Sequence, residues 1–183
     1  MEFVKSFQQT KIIKYLFIAL LGSILLAISS KIKIPFYPVP MTMQTFIILF
    51  IGVAFGWRLG IATISLYLLE GILGLPVFSC TPEKGIGIVY FTGPTMGYLI
   101  GFIIAIYFAG KFNYDDNLFK NFLKLTFAIS FIYLFGLLWL GNLIGWDKPI
   151  FKLGAQPFLL AELFKILIAT LAIKQFKKLR KIL

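Results

Sequence analysis

Two charged residues, Glu162 and Lys165, stand in the middle of the apolar run Gln156 to Ile173, which reads QPFLLAELFKILIATLAI. Three residues apart on a helix, they lie about 60° apart on one face and can reach both each other and a shared ligand. An ionisable group near the middle of a bilayer costs at least about 2.5–3.5 kcal/mol unless it is paired or faces a cavity. The pair therefore has two readings. It is either a carboxylate and an ammonium that bind a ligand, or a self-neutralising ion pair that fixes the packing of its helix.

Other reactive chemistry is scarce. The chain has no histidine and one cysteine, Cys80, in 183 residues. That removes His-based proton relays, Ser-His-Asp and Cys-His nucleophilic sites, and the usual zinc sites, which need several His or Cys ligands. The phosphate-loop pattern G-x-x-x-x-G-K-[ST] is missing, since Phe112 follows Gly110-Lys111; ATP is not bound through that motif. An intramembrane enzyme using Glu162 or Glu70 as acid or base would find no nucleophile or metal partner in this chain. No metal and no cofactor are expected, and the reading is non-enzymatic.

The elements that must position the pair are membrane helices. The chain is 60% hydrophobic and 14% charged, with a mean hydropathy of +0.93, against about 45–50% and about 25% in a soluble domain. Apolar runs cover about Ile12–Ser30, Met41–Gly56, Leu59–Gly74, Thr92–Gly110, Leu125–Leu143 and Gln156–Ile173. Six spans of about 20 residues use most of the chain, so residues 1–183 are expected to form one all-α domain of six transmembrane helices. The net charge of +11 does not point to nucleic acid, because Lys and Arg sit at the ends of apolar runs rather than along a polar face.

Between the runs lie segments with their own signals. Lys31 to Pro40, KIKIPFYPVP, holds three prolines and is expected to be a stiff, extended connection. Phe78 to Thr92 is a non-periodic stretch with Gly85 and Gly87, a candidate lid or binding loop. Thr92 or Thr95 is placed to cap the fourth helix, with Pro94 in its first turn; exposed amides there attract an anion or an acceptor atom. Glu70, near the end of the third run, is expected at an interface or a cavity rim. In the first run Ala19, Ser23 and Ala27 recur every four residues, a spacing that lets another helix approach closely.

The charges orient the bundle. With six spans, one side carries the N-terminal lysines, Arg58, Lys111, Lys120, Lys124 and the basic tail from Lys174, 12 of the 18 Lys and Arg; the other carries Lys31, Lys33, Lys84, Lys148 and Lys152. Positive residues mark the cytoplasmic side, which puts both termini inside a cell membrane and loops 77–92 and 144–155 outside. A cavity opening outward under those loops suits capture of a small solute. A lining of Tyr, Phe and Leu with a carboxylate, an ammonium and an amide suits a compact, partly apolar molecule with polar ends.

Four motifs carry a family resemblance. Pro38-Val39-Pro40-Met41-Thr42-Met43-Gln44-Thr45 resembles the P-V-P-I-T-L-Q-T signature of the BioY family, the biotin-specific substrate-binding (S) components of energy-coupling factor (ECF) transporters. Gly71 to Phe78 is similar to the family's G-x-x-G-L-P-V-F, and Gly93 to Tyr98 to its G-P-T-G-G-Y. Pro157-Phe158 with Glu162 and Lys165 resembles its terminal P-F-x-x-x-D-x-x-K. The likeness covers essentially the whole chain in order and spacing. It implies a six-helix S component that binds biotin from outside and works with a transmembrane coupling subunit and a pair of cytoplasmic ATPases. It also implies that Ala19, Ser23 and Ala27 dock on the coupling subunit. Glu162 would accept from a ureido N–H and Lys165 would donate to the ureido oxygen, both charge-assisted. Tyr98 would cover the thiophane ring, and Gln44, Thr92 and Thr95 would supply further polar contacts.

The chain departs from the pattern in three places. Ser79 to Gly85 replaces a glycine-rich outer loop, Met96 replaces a glycine, and Glu162 replaces Asp, adding one methylene. The loop change leaves Lys84 as the candidate partner of the valerate carboxylate. A transporter of the same fold for another vitamin, or for a precursor such as dethiobiotin, is the alternative.

Overall fold

The computed structural model describes residues 2–182, with side chains over residues 12–180; the lead-in lysines Lys5 and Lys11, and Lys181 of the tail, lie outside the described side chains. The described chain is mostly helical. Its helices are α1 (Glu2–Lys31), α2 (Gln44–Ile72), α3 (Met96–Lys111), α4 (Leu118–Ile144), α5 (Ile150–Gly154), α6 (Leu159–Leu171) and α7 (Ile173–Ile182). Among the described residues, four stretches are long and apolar enough to cross a membrane: Ile12–Lys31, Gln44–Ile72, Leu118–Ile144 and Ile150–Leu171; Met96–Lys111 is a shorter apolar helix.

α2 is not straight. Gly56, at φ 76° and ψ 170°, breaks the helix in a conformation open to glycine and strained for other residues. The chain reverses there. A Cβ on Gly60 would lie 4.0 Å from Cα of Gly52, and the Gln44 side chain donates to the Tyr67 hydroxyl at 2.8 Å. In a straight helix those last two residues would stand about 34 Å apart. The break between the apolar runs that end at Gly56 and begin at Leu59 is therefore a turn, and α2 is a helical hairpin.

The halves of α2 form the centre of the packing, with α1 and α3 against them and α4 against α3. Ile48, Leu49 and Ile51 from the first half, Ile64 from the second, Ile106 from α3, and Leu125 and Ile132 from α4 are fully buried or nearly so. Large apolar residues also cover the outside, among them Phe17, Leu20, Phe127 and Leu134. A surface of that kind is stable only against lipid.

The connections differ from expectation in four places. The proline-rich segment is not simply extended: Lys33–Ile34 (β1) pairs antiparallel with Met41–Thr42 (β2), closing it into a small hairpin. α4 starts earlier than its apolar run, at Leu118, because the Asn117 side chain accepts from the Lys120 backbone N–H at 3.0 Å and caps it. Phe78–Thr92 ends in a 3₁₀ turn, Gly87–Thr92. The last run is divided: a 3₁₀ turn at Gln156–Phe158 precedes α6, and the basic tail is itself a helix, α7.

Candidate functional site

α6 places Glu162 and Lys165 in the interior, 4% and 8% exposed, although the helix shows Leu160, Phe164 and Leu171 to the outside. The i,i+3 spacing brings Lys165 Nζ to 2.7 Å from Glu162 Oε1. The β2 strand and the start of α2 complete the setting. Lys165 Nζ also donates to the Thr42 carbonyl at 2.7 Å and to Thr45 Oγ1 at 3.0 Å. Thr45 Oγ1 in turn donates to Glu162 Oε1 at 2.9 Å. All three ammonium protons of Lys165 are thus engaged. Glu162 is the opposite case. Its Oε1 takes two hydrogen bonds, while its buried Oε2 has no donor in hydrogen-bond distance among the described residues, although the Tyr133 side chain is directed at this carboxylate.

An unsatisfied carboxylate oxygen in an apolar interior is costly, so it marks where a donor is wanted. Tyr133 of α4 faces the same carboxylate and packs with Tyr98 and Phe158 at ring-centre distances of 6.2 and 6.4 Å. Phe158 also meets Phe36 of the proline-rich hairpin edge-on at 5.6 Å. An aromatic wall therefore stands beside the acid.

On the other side of Thr42 lies a cavity of about 50 Å³. Gln44, Thr95 and Tyr98 line it together with Thr42, Ser79 and Tyr90. A cavity for a small organic ligand is about 300–1,000 Å³, so this one admits such a ligand only when its roof moves. The roof is the Phe78–Thr92 segment. Phe78 stacks on Tyr90 at 4.7 Å and fits against α2 because residue 71 is glycine: a Cβ there would lie 2.0 Å from Phe78 Cζ. The segment is held through backbone carbonyls. Ser30 and Tyr67 donate to Val77, Lys31 Nζ to Phe78, and Tyr90 to Ser79, at 2.7–3.0 Å. Burial pushes the Tyr90 phenol up to about 12, so it stays a donor at neutral pH.

The residues singled out from sequence separate into groups. Glu162 and Lys165 meet as expected. Gln44, Thr95 and Tyr98 share the cavity, but the Tyr98 hydroxyl is occupied, donating to the Gly154 carbonyl at 2.7 Å. Thr92 and Lys84 lie away from it. Thr92 is exposed and donates to Val89 O at 2.8 Å, inside its own 3₁₀ turn; Lys84 Nζ donates to Pro38 O at 2.9 Å, tying the loop to the proline-rich hairpin. Neither threonine caps α3: Thr95 is the N-cap residue and makes no side-chain cap bond. Ala19 and Ser23 are buried and Ala27 is half-buried; Gly22 beside them abuts Thr63 of α2, and Ser23 hydrogen-bonds Glu70. That contact turns Glu70 toward α1.

Thr45 and Tyr133 were missed. Thr45 carried a signal, sitting three residues after Thr42 on the face that α2 turns inward. Tyr133 carried none, because one tyrosine in the apolar α4 run has no local mark.

The helical bundle, whose buried charged pair bonds Thr42 in the lining of a loop-covered cavity, has a membrane S-component fold. A crystal structure described as the S-component for biotin from an ECF-type ABC transporter superposes with a TM-score of 0.76, at 22% identity, over 92% of this chain and 93% of that one. The BioY family model matches residues 4–182, and the chain belongs to the BioY family. Among its relatives, a Pyrococcus horikoshii protein named "Probable biotin transporter BioY" is 34% identical over 145 residues, 77% of this chain and 82% of that protein. The "Biotin transporter BioY" of Thermotoga maritima is 32% identical over 156 residues, 85% and 90% of the two chains.

Proposed function

We propose that this protein captures biotin outside the cell and takes it across the membrane as the substrate-binding subunit of an ECF-type transporter. The observation that carries the reading is the buried Glu162–Lys165 pair, which bonds the carbonyl of Thr42 in the cavity lining and leaves Glu162 Oε2 with no donor in hydrogen-bond distance among the described residues. A ureido N–H supplies the missing donor, in a charge-assisted bond. Lys165 has a second role beside the ureido contact. With its three protons committed to Thr42, Thr45 and Glu162, it orients the carboxylate, and it reaches the ureido oxygen only by exchanging one of those bonds. Tyr98 and Tyr133 supply the apolar cover, and Gln44, Thr42 and Thr95 the remaining polar contacts.

The membrane arrangement follows from the same reading. The hairpin halves of α2, with α1, α3, α4 and α6, make six crossings. Lys31, Lys33 and Lys84 gather around the loop at the outer end, while Arg58 and the basic α7 lie at the inner end with both termini in the cytoplasm. Entry of biotin opens the Phe78–Thr92 roof and releases the Lys84–Pro38 tie, which frees Lys84 to meet the valerate carboxylate. A coupling subunit and two ATPases complete the transporter. Docking on the Ala19, Ser23, Ala27 stripe requires α1 to shift from α2, because Ala19 and Ser23 are covered there.

Calorimetric titration of the purified protein with biotin, beside a Glu162→Gln variant, tests the assignment. Nanomolar binding that weakens about 10- to 100-fold in the variant, the size of a lost charge-assisted bond, is expected. Absence of binding by the unaltered protein overturns the biotin reading, and dethiobiotin and other small vitamins are then titrated in turn. Equal binding by both proteins returns the pair to a packing role.

A further inference from the structure

At the α7 end, far from the candidate biotin cavity, two cavities meet at one arginine. The first, about 690 Å³, runs along α1 and the α2 turn; Ile12, Leu16, Ala19, Phe55, Leu59 and Ala62 give it an apolar wall, and Trp57, Arg58 and Arg180 stand at its rim. The second, about 520 Å³, is lined by Phe112, Asn113, Tyr114, Lys177 and again Arg180. Arg180 lies directly over the hairpin turn, where a Cβ on Gly56 would be 2.9 Å from its guanidinium.

The charges here are unbalanced. Among the described residues neither Arg58 nor Arg180 forms an ion pair, whereas the nearby carboxylates are taken: Asp115 by Lys124 at 3.8 Å and Asp116 by Lys174 at 3.1 Å. Arg58 rests over the Trp57 ring at 5.2 Å, an orientation that leaves guanidinium N–H groups free. Lys177 spends one proton on the Tyr114 carbonyl at 2.7 Å and keeps two. α7 holds Lys177 and Arg180 in place by packing Phe176 edge-on against Phe50 at 4.9 Å and burying Ile173.

We infer that this is a binding site for an anionic phospholipid. The phosphodiester sits between Arg180, Lys177 and Arg58, and an acyl chain lies in the apolar groove along α1. Two features favour a lipid over a free phosphate: the cationic end is continuous with an apolar groove, and the groove is on the membrane-facing side of a spanning helix. Basic pockets between helix ends at a bilayer surface select anionic headgroups by this combination, each basic group contributing about fivefold. The site does not depend on biotin binding, although its wall shares Ala19 with the stripe proposed to dock on the coupling subunit.

Trp57 at the rim is a built-in reporter. The protein is reconstituted in phosphatidylcholine vesicles containing a minor fraction of brominated phosphatidylglycerol or, separately, of brominated phosphatidylcholine. Trp57 emission is taken as the difference from a Trp57→Phe variant. Stronger quenching by the brominated phosphatidylglycerol is expected, with the preference reduced about fivefold in Arg180→Gln and in Lys177→Gln. Equal quenching by the two lipids overturns the inference. So does a preference that both variants retain. Loss of the preference on adding inorganic phosphate at constant ionic strength overturns the lipid in favour of a free anion.

Discussion

At the residue scale, the Glu162–Lys165 pair is a three-membered group whose third member is Thr45. The hydroxyl accepts from the ammonium and donates to the carboxylate, so it fixes which carboxylate oxygen is used and leaves the other without a donor in hydrogen-bond distance among the described residues. Removing one partner of a buried ion pair strands a charge and costs about 3–5 kcal/mol, while replacing both by apolar groups of similar size is close to neutral. Lys165→Met alone is therefore expected to lower the thermal unfolding midpoint in detergent strongly. The double variant Glu162→Leu/Lys165→Met recovers most of the stability and binds no biotin. A double variant that still binds biotin would separate the pair from the ligand. Thr45→Val keeps the shape and removes the hydroxyl; it is expected to weaken biotin by about 1–3 kcal/mol, read by the same titration.

At the element scale, the Phe78–Thr92 segment closes the cavity through one ring seated on one glycine. Phe78 is buried, T-shaped against Tyr67 at 5.2 Å and Phe91 at 5.3 Å, and a Cβ at residue 71 would collide with it. Gly71→Val is expected to displace the ring, with an overpacking cost of about 1–3 kcal/mol. The closed state would then be less populated, and biotin would leave faster. Stopped-flow displacement of bound biotin reads this as a dissociation rate raised about tenfold. An unchanged rate would show that Phe78 is not the latch.

On the scale of the whole molecule, the charges sort to two ends. Lys31 Nζ donates to Phe78 O and Lys84 Nζ to Pro38 O at the loop end, whereas Arg180 and Gly110 crowd the Gly56 turn at the other. In a Cys80→Ser background, Lys84→Cys is expected to react with a membrane-impermeant maleimide added to whole cells. Lys178→Cys is expected to react only after the membrane is broken. The reverse pattern would invert the orientation drawn from the lysines and arginines.

The residue sequence alone determined that the chain is helical and membrane-embedded, because that outcome depends on long apolar runs and on where prolines and glycines interrupt them. It also marked Glu162 and Lys165, since two charges inside an apolar run stand out without any partner being known. The break between the runs at Gly56 and Leu59 was legible for the same local reason. The tertiary structure alone decided the partners. Thr45 lies 117 residues from Glu162, and nothing within a single helix brings them together. Packing also decided which contacts the residues singled out from sequence make in this arrangement: Ser23 bonds Glu70, Thr92 bonds within its own turn, and Lys84 bonds the proline-rich hairpin. The tail showed as basic in sequence, but only the fold of α7 against α2 set Arg180 over the turn. Local sequence fixes what each segment is, because helix formation depends on near neighbours. Which buried polar atom finds a donor depends on contacts far apart along the chain, and those exist only once the bundle has closed.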